Sequence, residues 1–104
     1  MKRIKNAVAL NPLVGTWKCG DGFSDLEISV QFKGDIPSVS VVDKYDDEAP
    51  QVFEVLWDAE KGILSFGTLW STGRFVKYSF MSSPIVGRAG VTFSYTDQEL
   101  WVRQ

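Results

Sequence analysis

The sequence predicts an all-β domain with the architecture of an eight-stranded antiparallel up-and-down barrel. Apolar and polar residues alternate almost everywhere after residue 12, most clearly over residues 26–33, as in strands with one buried and one exposed face. Turn signals rich in Gly, Pro, Asp and Ser separate these runs at short intervals. Aromatic residues make up 13% of the chain, and aromatic side chains favour strands.

The eight predicted strands cover residues 13–20, 23–33, 37–45, 51–58, 62–70, 74–82, 86–95 and 98–104. Because every loop between them is short, neighbouring strands should pair as a meander. A meander leaves two exposed edges unless the sheet closes on itself, so closure into a barrel is favoured. The 104 residues then form a single domain, with residues 1–12 as an N-terminal arm or short helical turn.

Composition excludes several classes of function. The formal net charge of −2 lacks the excess of positive charge that is typical of nucleic-acid-binding domains. The chain contains no histidine, which removes the usual general base, the common nucleophile pairs and the commonest metal ligand. We therefore expect no catalytic residues, no metal site and no cofactor. The single cysteine, Cys19, rules out an internal disulfide, and its place on an apolar strand predicts an inert buried thiol.

The N-terminus carries a small basic cluster followed by a short apolar stretch. Residues 7–10 are too few for the apolar core of a signal peptide, and no segment approaches the length of a membrane span. A cytoplasmic location is therefore expected.

Residues 11–17, Asn-Pro-Leu-Val-Gly-Thr-Trp, resemble the first motif of the calycins, the superfamily of lipocalins and fatty-acid-binding proteins. In that family a short helical turn leads into a Gly-x-Trp strand, and a basic residue of the last strand crosses the Trp. The resemblance implies barrel closure by Gly15, Trp17 and Arg103, with the guanidinium against the indole. It also implies a lipocalin-like binding protein for a small hydrophobic or amphipathic molecule.

The candidate ligand site lies on the inward faces of the later strands. Aromatic side chains there would form an apolar wall, tyrosine hydroxyls would add polar groups, and an arginine at the rim, Arg74 or Arg88, could hold a carboxylate. The alternative is that these aromatics simply fill the core of a small barrel. The predicted ligand-binding residues are Phe53, Trp57, Arg74, Tyr78, Phe93 and Tyr95.

A second hypothesis is a non-enzymatic interaction module or a self-associating domain. The predicted strand 62–70 is apolar on both faces, so one face must be covered or exposed. An exposed patch of Trp70, Phe75 and Met81 would suit a protein partner or a homodimer. A small enzyme that uses Tyr, Arg and a carboxylate is the third hypothesis.

Overall fold

The computed structural model describes residues 11–20, 22, 24–96 and 101–104, and within them the chain is all-β, as predicted. The strands fall within a few residues of the first seven predicted ones. They are β1 (Gly15–Lys18), β2 (Leu26–Lys33), β3 (Ile36–Asp43), β4 (Gln51–Asp58), β5 (Ile63–Leu69), β6 (Phe75–Ser82) and β7 (Ala89–Thr96). Residues 1–10, which hold most of the predicted N-terminal arm, lie outside the described residues.

The strands form two antiparallel sheets, each a meander in chain order. The N-terminal sheet has the order β1-β2-β3, and the C-terminal sheet has the order β4-β5-β6-β7. The tightest connection joins β2 to β3, where Lys33 pairs with Ile36 and leaves two residues in the turn. Gly34 opens this turn at φ 64°, a conformation that a side chain would disfavour.

The prediction of a closed eight-stranded barrel is wrong. Hydrogen bonding is interrupted between β3 and β4, where the chain forms turns over residues 44–47 and only the isolated bridge Asp43–Glu48. Within the described part of the chain, β1 and β7 end separate sheets and do not pair with each other. The predicted eighth strand begins at residues that the structure does not describe, and residues 101–104 form no strand. Arg103 therefore lies in an exposed segment and not on a closing strand.

The inner faces of the two sheets share one hydrophobic core. Two ring contacts join the sheets: Trp17 meets Phe80 edge-on at 6.3 Å between centroids, and Phe32 meets Trp57 at 5.0 Å. Edge-to-face contacts of this kind add about 0.5–1.5 kcal/mol beyond simple burial. The buried apolar residues of the core are Leu13, Ile28, Val30, Val41, Leu64, Phe66, Val76, Tyr78 and Phe80.

A β-bulge in β4 changes which side chains face the core. The pairing of β4 with β5 shifts register between Phe53 and Leu56, and Glu54 has a φ of 52°. A bulge inserts one unpaired residue and so switches the faces on its two sides. Val52 therefore packs against the core, whereas Phe53 lies on the outer face, where it stacks on Phe75 at 6.2 Å. The inward orientation expected for Phe53 is not observed.

Gly67 lets the ring of Phe75 pack flat on the outer face of the C-terminal sheet. The ring of Phe75 lies so close over Gly67 that an added Cβ would be 2.5 Å from the ring carbon Cζ.

The exposed patch predicted from Trp70, Phe75 and Met81 does not form, because Trp70 packs against the core and its Nε1 donates to the Thr68 hydroxyl at 3.0 Å. Met81 is about half exposed, on the outer face of β6.

Candidate ligand cleft

An open cleft with a volume of about 610 Å³ lies between the two sheets, at the position where a barrel would have closed. One wall comes from β1 and β2 and contains Trp17, Leu26 and Ile28. The opposite wall comes from β6 and β7. Its apolar and aromatic members are Tyr78, Phe80, Val91, Phe93 and Tyr95.

Trp17, which is half-buried, and Phe80 are neighbours in the lining. Phe80 is fully buried and stacks on Phe66 at 5.8 Å in addition to its edge contact with Trp17. The indole Nε1 of Trp17 donates to the Leu13 carbonyl at 2.8 Å, so the polar atom of the ring is satisfied away from the cleft. The rest of the indole is available as an apolar contact surface.

β7 supplies aromatic side chains that are more than half exposed. Phe93 is 54% exposed and Tyr95 58%, and their rings meet edge-on at 5.8 Å. The guanidinium of Arg74 lies 4.9 Å from the centroid of the Tyr95 ring, within the range of a cation–π contact. This contact holds Arg74 next to Tyr95, at the end of β7 away from Arg88.

Tyr78 connects the cleft to the core. It pairs with Phe93 across β6 and β7, and its side chain is buried. Burial raises the pKa of the Tyr78 hydroxyl above its usual value of 10.0, and the neighbouring Tyr95 raises it further. A hydrogen bond with the Thr68 hydroxyl opposes part of the rise.

The raised pKa of Tyr78 predicts a loss of stability in alkali. Above about pH 10, a tyrosine in the unfolded chain releases its proton while Tyr78 in the folded chain keeps it. The free energy of unfolding therefore falls as the pH rises through this range. We expect Tyr78→Phe to show a shallower fall in urea denaturation measured from neutral to alkaline pH. If the free energy of unfolding falls equally steeply with pH in both proteins, the pKa of Tyr78 is not raised.

Two cationic side chains are among the residues that line the cleft. Lys18 and Arg88 line it from opposite walls, and the lining formed by the described residues includes no carboxylate. Glu27 pairs with Lys18 at 3.5 Å, and because the Lys18 side chain is 62% exposed, this ion pair contributes little to stability. Cys19 also lies in the lining and is exposed, so the expected burial of its thiol is wrong.

The structure brings together half of the predicted ligand-binding residues. Tyr78, Phe93 and Tyr95 line the cleft, and Arg74 contacts the Tyr95 ring. Trp57 instead packs on Phe32 away from the cleft. Sequence reasoning treated Trp17 only as a residue of barrel closure, although the cleft exposes its face. The alternation of Trp17 with the polar Thr16 and Lys18 is the sequence signal that could have placed it on the inner face.

Comparison with protein-family models, with curated proteins and with solved structures returned no match for this chain. The calycin resemblance therefore rests on residues 11–17 alone, because Arg103 lies on no strand. None of the described residues forms a helix long and apolar enough to cross a membrane.

Proposed function

We propose that this protein binds a small amphipathic molecule in the cleft between its two sheets. The observation that carries the proposal is an open cleft of about 610 Å³ whose wall leaves Phe93 and Tyr95 more than half exposed. Small-molecule sites have volumes of about 300–1,000 Å³ and are mostly apolar with a few polar groups. Covering exposed aromatic surface contributes about 25 cal/mol per Å² to binding.

The polar groups of the cleft favour a ligand with an anionic group. Arg88 presents a planar guanidinium that can bind a carboxylate through two parallel hydrogen bonds, whereas the charge of Lys18 is already paired with Glu27. The apolar part of the ligand would lie against Trp17, Phe80 and Phe93. A calycin-like binding role is consistent with this chemistry.

The proposal is tested by tryptophan fluorescence with a panel of alkyl and aryl carboxylates, each matched with its alcohol. Of the four tryptophans of the chain, Trp17 lies in the cleft lining, so its emission should change on binding. We expect carboxylates to bind more tightly than the matched alcohols. Arg88→Gln should weaken carboxylate binding by about tenfold, because it removes one of the two hydrogen bonds to the carboxylate, and leave alcohol binding unchanged.

Lys33→Gln is the matched control, because Lys33 carries the same charge at the end of β2 outside the cleft lining. It should leave binding of both probes as in the native protein. Trp17→Phe should remove most of the fluorescence change without abolishing binding measured by calorimetry. If no member of the panel binds in calorimetry, the proposed function is wrong.

A further inference from the structure

Among the strands that the structure describes, β7 is an edge strand without the features that usually protect a sheet edge. It is eight residues long, contains neither a charged residue nor a proline, and keeps a regular register with β6 from Thr96 to Ala89. The other three strands at sheet ends each have a protective feature: β1 is short, β3 contains Pro37, and β4 contains a bulge. Short strands, prolines, charges and bulges prevent edge-to-edge association in natural sheets.

The sequence of β7 is complementary to itself. In an antiparallel pair related by a two-fold axis perpendicular to the sheet, opposite residues lie on the same face. With Phe93 on the axis, each Val91 lies opposite a Tyr95, and Phe93 lies opposite its own copy. On the other face, Thr92 lies opposite Ser94. Pairs of aromatic and β-branched residues and pairs of hydroxyl residues both stabilise sheets, and no like charges meet.

We propose that β7 pairs with β7 of a second copy of this chain, across a two-fold axis at Phe93. The two C-terminal sheets then form one continuous eight-stranded sheet. The occupant is a second copy because the edge is uncharged and matches its own sequence in this register. Pairing brings Val91, Phe93 and Tyr95, which are 42%, 54% and 58% exposed, beside the same residues of the second copy on the inner face of the joined sheet. A symmetric dimer with the same surface on both subunits is the commonest oligomer.

Disulfide trapping tests the register. In a Cys19→Ser background, Phe93→Cys should give a covalent dimer on mild oxidation, seen on a non-reducing gel. Opposite Cα atoms in an antiparallel pair are about 4.5–5.5 Å apart, within the span of a disulfide. Thr92→Cys alone should not cross-link, but a mixture of Thr92→Cys with Ser94→Cys should. Met81→Cys is the control, because Met81 is about as exposed as Phe93 and lies on β6, inside the sheet.

Sedimentation of the full chain tests the association without engineered cysteines. We expect a dimer that Thr92→Lys converts to a monomer, whereas Ser79→Lys leaves it intact. Ser79 lies directly opposite Thr92 on the same face but belongs to an interior strand. A native protein that stays monomeric up to about 1 mM would overturn the proposal. A dimer insensitive to Thr92→Lys, with no preferential cross-linking at Phe93, would also overturn it. Ligand binding is measured separately by fluorescence and calorimetry, so this proposal and the proposed function can fail independently.

Discussion

Phe80→Ala is expected to lower the free energy of unfolding by about 3–5 kcal/mol, the usual cost of truncating a buried phenylalanine. Phe80 is 1% exposed and lies between the two sheets, in the lining of the cleft. Its ring contacts Trp17 from the N-terminal sheet and Phe66 from its own. Removal of the ring leaves a cavity and also breaks a contact that joins the sheets. Urea denaturation followed by far-UV circular dichroism measures the loss.

Phe53→Ala is the matched control, because it removes the same side chain from the outer face of β4. Phe53 is 38% exposed and loses mainly its stacking on Phe75, so we expect a cost of about 1 kcal/mol. If Phe80→Ala does not fold, Phe80→Leu retains part of the volume and should still be less stable than the native protein. Equal losses for Phe80→Ala and Phe53→Ala would show that the two sheets do not share the core described above.

The secondary structure was predictable because each strand carries its own signal. The alternation over residues 26–33 and the turn at Gly34 correspond directly to β2 and to the hairpin that follows it. These signals are local, since the side-chain period of a strand and the chemistry of a tight turn depend on adjacent residues alone. The seven observed strands and their meander order could therefore be obtained from the sequence.

The orientation of β4 could not be predicted, because the bulge has no clear signature in the sequence. In a regular strand, strict alternation would place Phe53 on the same face as Trp57. The irregularity at Glu54 breaks this pattern, and glutamate is an unusual residue at a φ of 52°. One inserted residue thus moved Phe53 away from the cleft, whereas Trp57 kept its inward face.

Barrel closure failed as a prediction because it depends on contacts between distant parts of the chain. The prediction of closure assumed that the first and last strands have exposed edges, and β1 and β7 do lie at the ends of their sheets. It could not show that the sheet divides between β3 and β4. The missing pairing between β1 and β7 explains the cleft: inward aromatics of β7 that a closed barrel would bury instead form an exposed wall. The sequence therefore predicted correctly that Tyr78, Phe93 and Tyr95 are neighbours, although the closed barrel from which this was argued does not form.

Leu13→Ala is expected to lower the free energy of unfolding by about 2–5 kcal/mol. Leu13 is fully buried although it precedes β1 and belongs to no strand. Its backbone is fixed on both sides: its N–H donates to Asn11 Oδ1 at 2.9 Å, and its carbonyl accepts from Trp17 Nε1 at 2.8 Å. Because these bonds hold the segment in place, the backbone cannot move inward to fill the cavity. We therefore expect a value in the upper half of that range.

Leu56→Ala is the control for Leu13→Ala, since Leu56 is 62% exposed and the same atoms are removed. We expect it to cost about 0.5 kcal/mol or less, as is usual for surface substitutions. The comparison tests whether residues 11–17 act as one structural unit, in which Leu13 fills the core and its carbonyl orients the indole of Trp17. If Leu13→Ala is as mild as Leu56→Ala, this segment does not anchor the core. The position of Trp17 in the cleft would then have to depend on β1 and its contact with Phe80.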